Sequence, residues 1–259
     1  MRLPGTVALV TGSSSGLGTA IARELARRGA SVVTHGRDAE RATAVAAELG
    51  ASYVLGDLAD PEQPQRIVDE ATQSHGRLDL VVHNAGRGWQ GSFDTMTPEC
   101  IGELVATDLT GPMLLSRAVL PLLLRQGRGH LCFVTSIAGR TGVAGEAVYA
   151  ATKAGLDAFA DSLRLEAEGT GVEVSTFVPA VIDTEFFARR GTPYARRSPK
   201  PRNPDHVARQ VVSLIESGKT ERWSDPLLRI APAVRAVSPA AYHRMARRWG
   251  EKTRMPGGG

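Results

Sequence analysis

Short unbroken runs of apolar residues recur along this chain. Between them lie longer stretches in which apolar side chains return every third or fourth position. The runs fall at 6–10 (TVALV), 31–35 (SVVTH), 52–58 (SYVLGDL), 78–86 (LDLVVHNAG), 130–136 (HLCFVTS) and 172–179 (VEVSTFVP). Runs of that length without alternation are the pattern of strands covered on both faces. The intervening stretches read as helices: TAIARELARRG ending at Gly29, then 39–49, 61–74, 147–168 and 205–218. Residues 97–126 read as one long or two abutting helices, with Gly111-Pro112 in the middle. Asp38 is placed to cap the second helix, and Asn203 or Asp205 the one beginning near 205. Strand and helix alternate throughout, which predicts an α/β fold with a single doubly wound parallel sheet flanked by helices. In such sheets a ligand lies off the carboxyl ends of the strands.

Size and composition narrow this picture. A chain of 259 residues with 42% apolar and 22% charged residues suits one large α/β domain. That domain is expected to span 1–225. Residues 226–254 read as an extension of two short amphipathic helices divided at Ser238-Pro239, and 255–259 as a disordered tail. Cys100 and Cys132 have neither CxxC spacing nor clustered histidines, so neither a disulfide scaffold nor a metal site is expected. The opening apolar run is too short for a signal peptide and no stretch is long enough to span a membrane, so a cytoplasmic location is expected. Charge is uneven: residues 1–188 carry 15 Lys and Arg against 22 Asp and Glu, and 189–259 carry 16 against 5. A basic tail suits a solvated face, and also contact with anionic substrates, lipid or nucleic acid.

The first strand runs into Thr11-Gly12-Ser13-Ser14-Ser15-Gly16-Leu17-Gly18 and then a helix. Strand, glycine turn and helix together form a phosphate-site pattern. Gly12 allows the tight turn, Gly16 lets backbone approach a pyrophosphate, Gly18 lets helix meet sheet, and the helix amides face the anion. After the second strand come Gly36 and Arg37. An arginine there suits a 2′-phosphate, which favours NADP over NAD, with Asp38 as the counter-argument.

Tyr149 and Lys153 stand four residues apart in a helical stretch, one turn apart on the same face. Such a pair is commonly a plain surface contact. It also has a chemical use, since bringing a tyrosine from about 10 to about 7 takes roughly 4 kcal/mol. A unit charge some 4 Å away supplies about 1 kcal/mol in water and about 4 at an effective dielectric of 20. Lys153 serves that purpose only in a partly dry cleft. The glycine turn, Asp57, the Asn84 segment, Ser136 and Pro179 all fall at predicted strand ends, so the ligand edge of the sheet is where this pair belongs.

With these residues assembled, the chain resembles the short-chain dehydrogenase/reductase family over roughly 5–220. The resemblance rests on TGxxxGxG at 11–18, Asn-Ala-Gly at 84–86, Ser136, YxxxK at 149–153, and Pro179 followed by Thr184. It implies an NADP-dependent oxidoreductase acting on a small-molecule carbonyl or alcohol, with no nucleic-acid partner and a dimeric or tetrameric homo-oligomer. By the same resemblance Tyr149 is the general acid or base. Lys153 lowers its pKa and holds the nicotinamide ribose, and Ser136 stabilises the substrate oxygen. Gly12, Ser14, Gly16, Leu17, Gly18, Arg37, Asp57, Leu58, Asn84, Ala85, Gly86, Pro179, Ile182 and Thr184 join Tyr149 and Lys153 in holding the cofactor. Three positions depart from the family pattern. Asp108 stands where a catalytic asparagine is usual, Ala180 where a glycine follows the proline, and His83 where an asparagine opens the Asn-Ala-Gly segment. An ionised aspartate cannot donate as an amide does, and its charge near Lys153 steadies the lysine while opposing phenolate. His83 reads as a packed strand-end residue.

Residues 185–204 fall where the family has its substrate lid and read as a mobile loop. Phe186, Phe187 and Tyr194 suit an apolar substrate; Arg189, Arg190, Arg196 and Arg197 suit an anionic one. Two further readings stand beside the alcohol/ketone one. The first is a 3-oxoacyl-thioester reductase using the basic lid and Arg125/Arg128; the second is a catalytically weak cofactor-binding regulatory or interaction protein. In the tail, Leu227, Leu228, Ile230, Val234 and Val237 are expected to pack on the body or a second subunit. Arg235, Arg244, Arg247 and Arg248 then face outward, or toward anionic lipid.

Overall fold

The structure is a computed structural model that describes residues 1–191, Tyr194 and 200–249. Seven parallel strands form one sheet in the order β3-β2-β1-β4-β5-β6-β7. They are β1 (Val7–Val10), β2 (Ser31–Gly36), β3 (Ser52–Leu55), β4 (Leu80–His83), β5 (Gly129–Val134), β6 (Val172–Val178) and β7 (Glu221–Trp223). Every residue of β1, β4 and β5 is buried, because helices cover both faces. On one face lie α3 (Gln63–His75), α5 (Gly111–Gln126) and α7 (Ala147–Glu166), which bury Ile67, Leu115, Leu123, Leu156 and Leu163 with Phe133 of the sheet. On the other lie α1 (Gly16–Arg27) and α9 (Pro204–Ser217), which bury Ile21, Leu25, Val207, Val211 and Ile215 with Phe177. The strand order reverses between β1 and β4, which opens a crevice at their carboxyl ends.

Asp38 caps α2 (Ala39–Leu49) by accepting from the Arg41 amide at 3.1 Å, and Asn203 caps α9 by accepting from the Asp205 amide at 2.8 Å. Gly111-Pro112 does not interrupt the helix there. Helix α4 (Pro98–Val105) runs through a π turn at Ala106–Thr110 into α5, and the Gly111 amide reaches back to the Ala106 carbonyl. Pro112 has no N–H to give the carbonyl four residues earlier, and a wider turn just before it accommodates that loss.

Two elements have no counterpart in the sequence pattern. Strand β7 is three residues long, too short for any period, and is held by pairing with Thr176–Val178 of β6. Helix α6 (Ile137–Thr141) has only five residues, and Ser136 caps it by accepting from the Ala138 amide at 3.1 Å. The segment 185–204 is also not all loop: α8 (Phe186–Arg189) forms in it, while 192–193 and 195–199, with Arg196 and Arg197, lie outside the described residues.

Beyond β7 a 3₁₀ turn (Pro226–Arg229) leads into α10 (Ile230–Val237) and α11 (Pro239–Trp249), with the break at Ser238-Pro239. Tyr242 is buried and donates to the Thr141 carbonyl at 2.5 Å, and Arg235 donates to the Arg140 carbonyl at 3.3 Å. The helix pair thus packs on the body through α6. Leu227, Ile230 and Val237 face solvent. The tail at 255–259 lies outside the described residues. Among the described residues no helix is long and apolar enough to cross a membrane, and no cluster of three metal-ligating side chains occurs.

Candidate active site

One cleft of about 1570 Å³ runs along the carboxyl ends of the strands. Its floor on the β1 side is mostly backbone. Gly12 and Gly16 take left-handed conformations, with φ of 66° and 58°. A Cβ on Gly12 would sit 2.8 Å from the Ala85 Cα, and one on Gly18 would sit 2.3 Å from the Gly12 carbonyl oxygen and 2.6 Å from the Asn84 amide nitrogen. Glycine is therefore a steric requirement at both positions. Thr11 Oγ1 accepts from the Asn84 and Ala85 amides at 3.0 Å each, and Asn84 Nδ2 donates to the Thr11 carbonyl at 3.0 Å. These bonds stitch the Asn-Ala-Gly segment to the glycine turn. No side chain caps the N-terminus of α1 and its first turn has no acidic residue, so its amides remain available to an anion.

The residues present fit a nicotinamide dinucleotide, because the cradle is closed to any side chain at Gly12 and Gly18 and ends on an uncapped helix. Gly12, Ser14, Gly16, Leu17, Gly18, Arg37, Asp57, Leu58, Asn84, Ala85, Gly86, Pro179, Ile182 and Thr184 all line this cleft, as do Ser136, Tyr149 and Lys153. Arg37 Nη1 lies 3.1 Å from Asp57, and Arg41 lies 2.8 Å from Asp38. Burial works against the Asp57 carboxylate, but the Ala59 amide and Arg37 outweigh it and hold its pKa below the usual value.

Sequence reasoning missed His35, which is buried at the end of β2 and accepts the Gly12 amide on Nδ1 at 3.3 Å. Burial, chiefly, pushes its pKa down to about 4, so it is a neutral ring bracing the turn. No spacing rule points to it, because the two residues meet only across paired strands. His83 is a packed residue: it stacks on Phe133 with centroids 4.4 Å apart, lies 3.2 Å from Ser116 Oγ through Nε2, and is pushed by burial to about 3.

At the centre of the cleft three elements converge. Ser136 ends β5 and caps α6, while Tyr149 and Lys153 stand on α7 with the ammonium 5.7 Å from the phenol ring centroid. A Cβ on Gly139 would sit 2.7 Å from the Lys153 carbonyl carbon and the Ala154 nitrogen, so α6 lies directly on the backbone of α7. Asp108 differs from the other three. It is fully buried and does not line the cleft; it sits behind Gly86, with one oxygen 3.3 Å from Lys153 Nζ and the other accepting the Arg87 amide at 2.7 Å. A Cβ on Gly86 would sit 3.1 Å from the Asp108 oxygen and 3.2 Å from Lys153 Nζ, so the three residues are in close contact.

Several groups act on the phenol at once. Burial pushes the Tyr149 phenol above its usual value; Lys153 and a hydrogen bond to Ser136 work the other way, and Asp108 adds to the rise. Lys153 thus acts on the phenol in the expected direction, against the larger effect of burial. Burial opposes the Lys153 ammonium, but Asp108 and Tyr149 outweigh it and keep it charged. The Asp108 carboxyl is itself raised by burial against the pull of Lys153.

The far end of the cleft is made of side chains. Phe186 lies 5.7 Å from the Tyr149 ring, and Phe187 lies 5.5 Å from Phe186 and 5.2 Å from Tyr194. The lid arginines are engaged: Arg189 with Glu185 and, at 2.9 Å, Ser15, and Arg190 with Glu146 and over the Phe187 ring. Arg196 and Arg197, the other two arginines considered from sequence for an anion, lie outside the described residues. Arg125 and Arg128 precede β5, about 20 Å from the cleft across the length of a six-residue strand. Leu228, Ala231, Tyr242, Met245 and Ala246 close this end, a placement signalled only weakly by apolar positions three and four apart in α11.

Comparison with known proteins agrees with this architecture. The short chain dehydrogenase family model matches residues 6–194. Dehydrogenase/reductase SDR family member 7B of Bos taurus is 30% identical over 92% of this chain and 79% of its own length. Ketoacyl reductase HetN of Nostoc is 32% identical over 96% of this chain and 90% of its own length. A metagenomic short-chain oxidoreductase, solved in complex with NADP, superposes with a TM-score of 0.74 at 34% identity, covering 86% of this chain and 97% of that one. The chain belongs to the short chain dehydrogenase family, and its activity is that of an NAD(P)-dependent oxidoreductase.

Proposed function

We propose that this protein is an NADP-dependent carbonyl reductase, or alcohol dehydrogenase in reverse, acting on a neutral, largely apolar ketone or alcohol. The observation that carries this reading is the convergence of Ser136, Tyr149 and Lys153 at the middle of one cleft, between a glycine cradle and an apolar end. A bound nicotinamide supplies or accepts the hydride at the substrate carbon. Tyr149, kept protonated by burial, gives its proton to the oxygen as charge develops there. Ser136 donates a hydrogen bond to the same oxygen. Lys153 holds ribose hydroxyls and places positive charge beside the phenol, and Asp108 fixes that ammonium in place. In alcohol oxidation Tyr149 works as the base, so that direction gains as pH rises.

Arg37 supports the preference for NADP, since it stands at the end of β2 and the NADP-bound relative shares the fold. Arg37, now 3.1 Å from Asp57, would hold the 2′-phosphate of NADP. We place the protein in the cytoplasm as a homo-oligomer, with 1–225 forming the catalytic unit and 226–254 its helical extension. The likeness to a ketoacyl reductase favours a second reading, reduction of a 3-oxoacyl thioester.

The test is a panel of neutral ketones, secondary alcohols and 3-oxoacyl thioesters with NADPH or NADP and NADH or NAD. Turnover of neutral ketones with NADPH is expected. Arg37→Ala should weaken NADPH binding by about tenfold, the loss of one charge-assisted hydrogen bond, and leave NADH little changed. A strong preference for NADH in the parent refutes the assignment of Arg37, and turnover confined to thioesters selects the second reading.

A further inference from the structure

Beyond Tyr149 the cleft continues under the C-terminal end of the chain. Leu228, Ala231, Met245 and Ala246 line it together with Phe186 and Phe187. The helices that carry this wall are fixed at two points, Tyr242 on the Thr141 carbonyl and Arg235 on the Arg140 carbonyl. Both anchors belong to α6, the helix capped by Ser136, so the wall and the hydroxyl facing the substrate oxygen share one support.

Three described arginines near this end are paired with carboxylates. Arg189 meets Glu185, Arg190 meets Glu146, and Arg87 meets Glu103. An anionic group that engaged any of these three would have to separate its pair and then face the carboxylate it displaced. An alkyl chain disturbs none of them and covers apolar surface from three elements.

We propose that α10 and α11 are the specificity wall of this enzyme, built to hold the extended neutral alkyl portion of a carbonyl substrate whose oxygen lies at Ser136 and Tyr149. This assignment rests on the carbonyl-reductase reading and goes further by naming the residues that select chain length and reject charge.

The experiment measures kcat/KM with NADPH for straight-chain 2-ketones of increasing length, in the parent and in Met245→Glu and Ala231→Trp. In the parent each added methylene should raise kcat/KM by about fourfold until the wall is filled. Each variant should lose at least about tenfold more on long ketones than on short ones, as a buried charge or a filled groove demands. A ketone ending in a carboxylate should be poorer than the neutral ketone of equal length. The slope in the parent needs no variant to fold, and a flat slope overturns the assignment. Equal losses on short and long ketones in folded variants, or preference for the carboxylate, also overturn it. A parent that reduces no ketone of any length defeats the carbonyl reading itself, which separates the two failures.

Discussion

The two ends of the cleft are built from different materials. The dinucleotide end is backbone: the glycine turn, the Asn-Ala-Gly segment hung on Thr11, and the open N-terminus of α1. The substrate end is side chains on short helical elements from two separate stretches of the chain, α8 and the run of 3₁₀ turn, α10 and α11. A backbone cradle tolerates almost no substitution, because a single Cβ has nowhere to go. A wall of Leu, Ala, Met and Phe can be recut one residue at a time, as volume-conserving apolar changes cost little. One end is fixed by the cofactor, which does not vary, and the other is free to follow the substrate.

The largest effect is expected where the two ends meet. Tyr149→Phe removes the proton donor and should lower kcat/KM by about 10²–10⁴-fold while NADPH still binds, measured by steady-state kinetics beside a fluorescence titration. Turnover at the parent rate would break the assignment of the phenol. Gly18→Ala should harm the backbone end in both fold and affinity, costing about 1–3 kcal/mol in denaturant unfolding and weakening dinucleotide binding, since its Cβ meets backbone at 2.3 Å. Unchanged stability would mean that the turn is softer than its contacts indicate. Asp108→Asn removes the carboxylate that raises Tyr149, so the pH profile of alcohol oxidation should move to lower pH. An unmoved profile would leave Asp108 with a packing role alone. Tyr242→Phe deletes one hydrogen bond at the substrate end and should cost about 1 kcal/mol of stability without altering NADPH affinity. A loss of cofactor binding in that variant would show that the ends are not independent.

The same contrast decides what could be read from sequence. The sheet, the order of the helices and the glycine turn were legible because each rests on local spacing: six apolar runs, helical periods between them, and glycines at fixed offsets. The convergence of Ser136, Tyr149 and Lys153 was legible for the same reason, since strand ends of a doubly wound sheet share one edge. His35 on Gly12, Gly139 on Lys153 and Tyr242 on Thr141 were not, because each is a contact across paired or crossing elements. For the lid, composition showed four arginines but not their partners: Glu146 and Glu185 pair with Arg190 and Arg189, a contact that spacing shows only for Glu185. For Asp108, sequence anticipated its influence on the lysine and phenol, but not its full burial beside Gly86.

The π turn at Ala106–Thr110 carries a consequence for how this helix can change. Upstream of it Leu104 sets which side is buried; downstream Leu115, Val119 and Leu123 do so. The wider turn adds one residue between the two stretches, and each residue of an α-helix turns about 100°. Losing a single residue between 98 and 107 would therefore swing one half against the other and draw the carboxylate off its ammonium, although every other side chain remained the same. The counter-charge behind Lys153 is kept in position by an irregularity of winding, so a more perfect helix would be a worse one here.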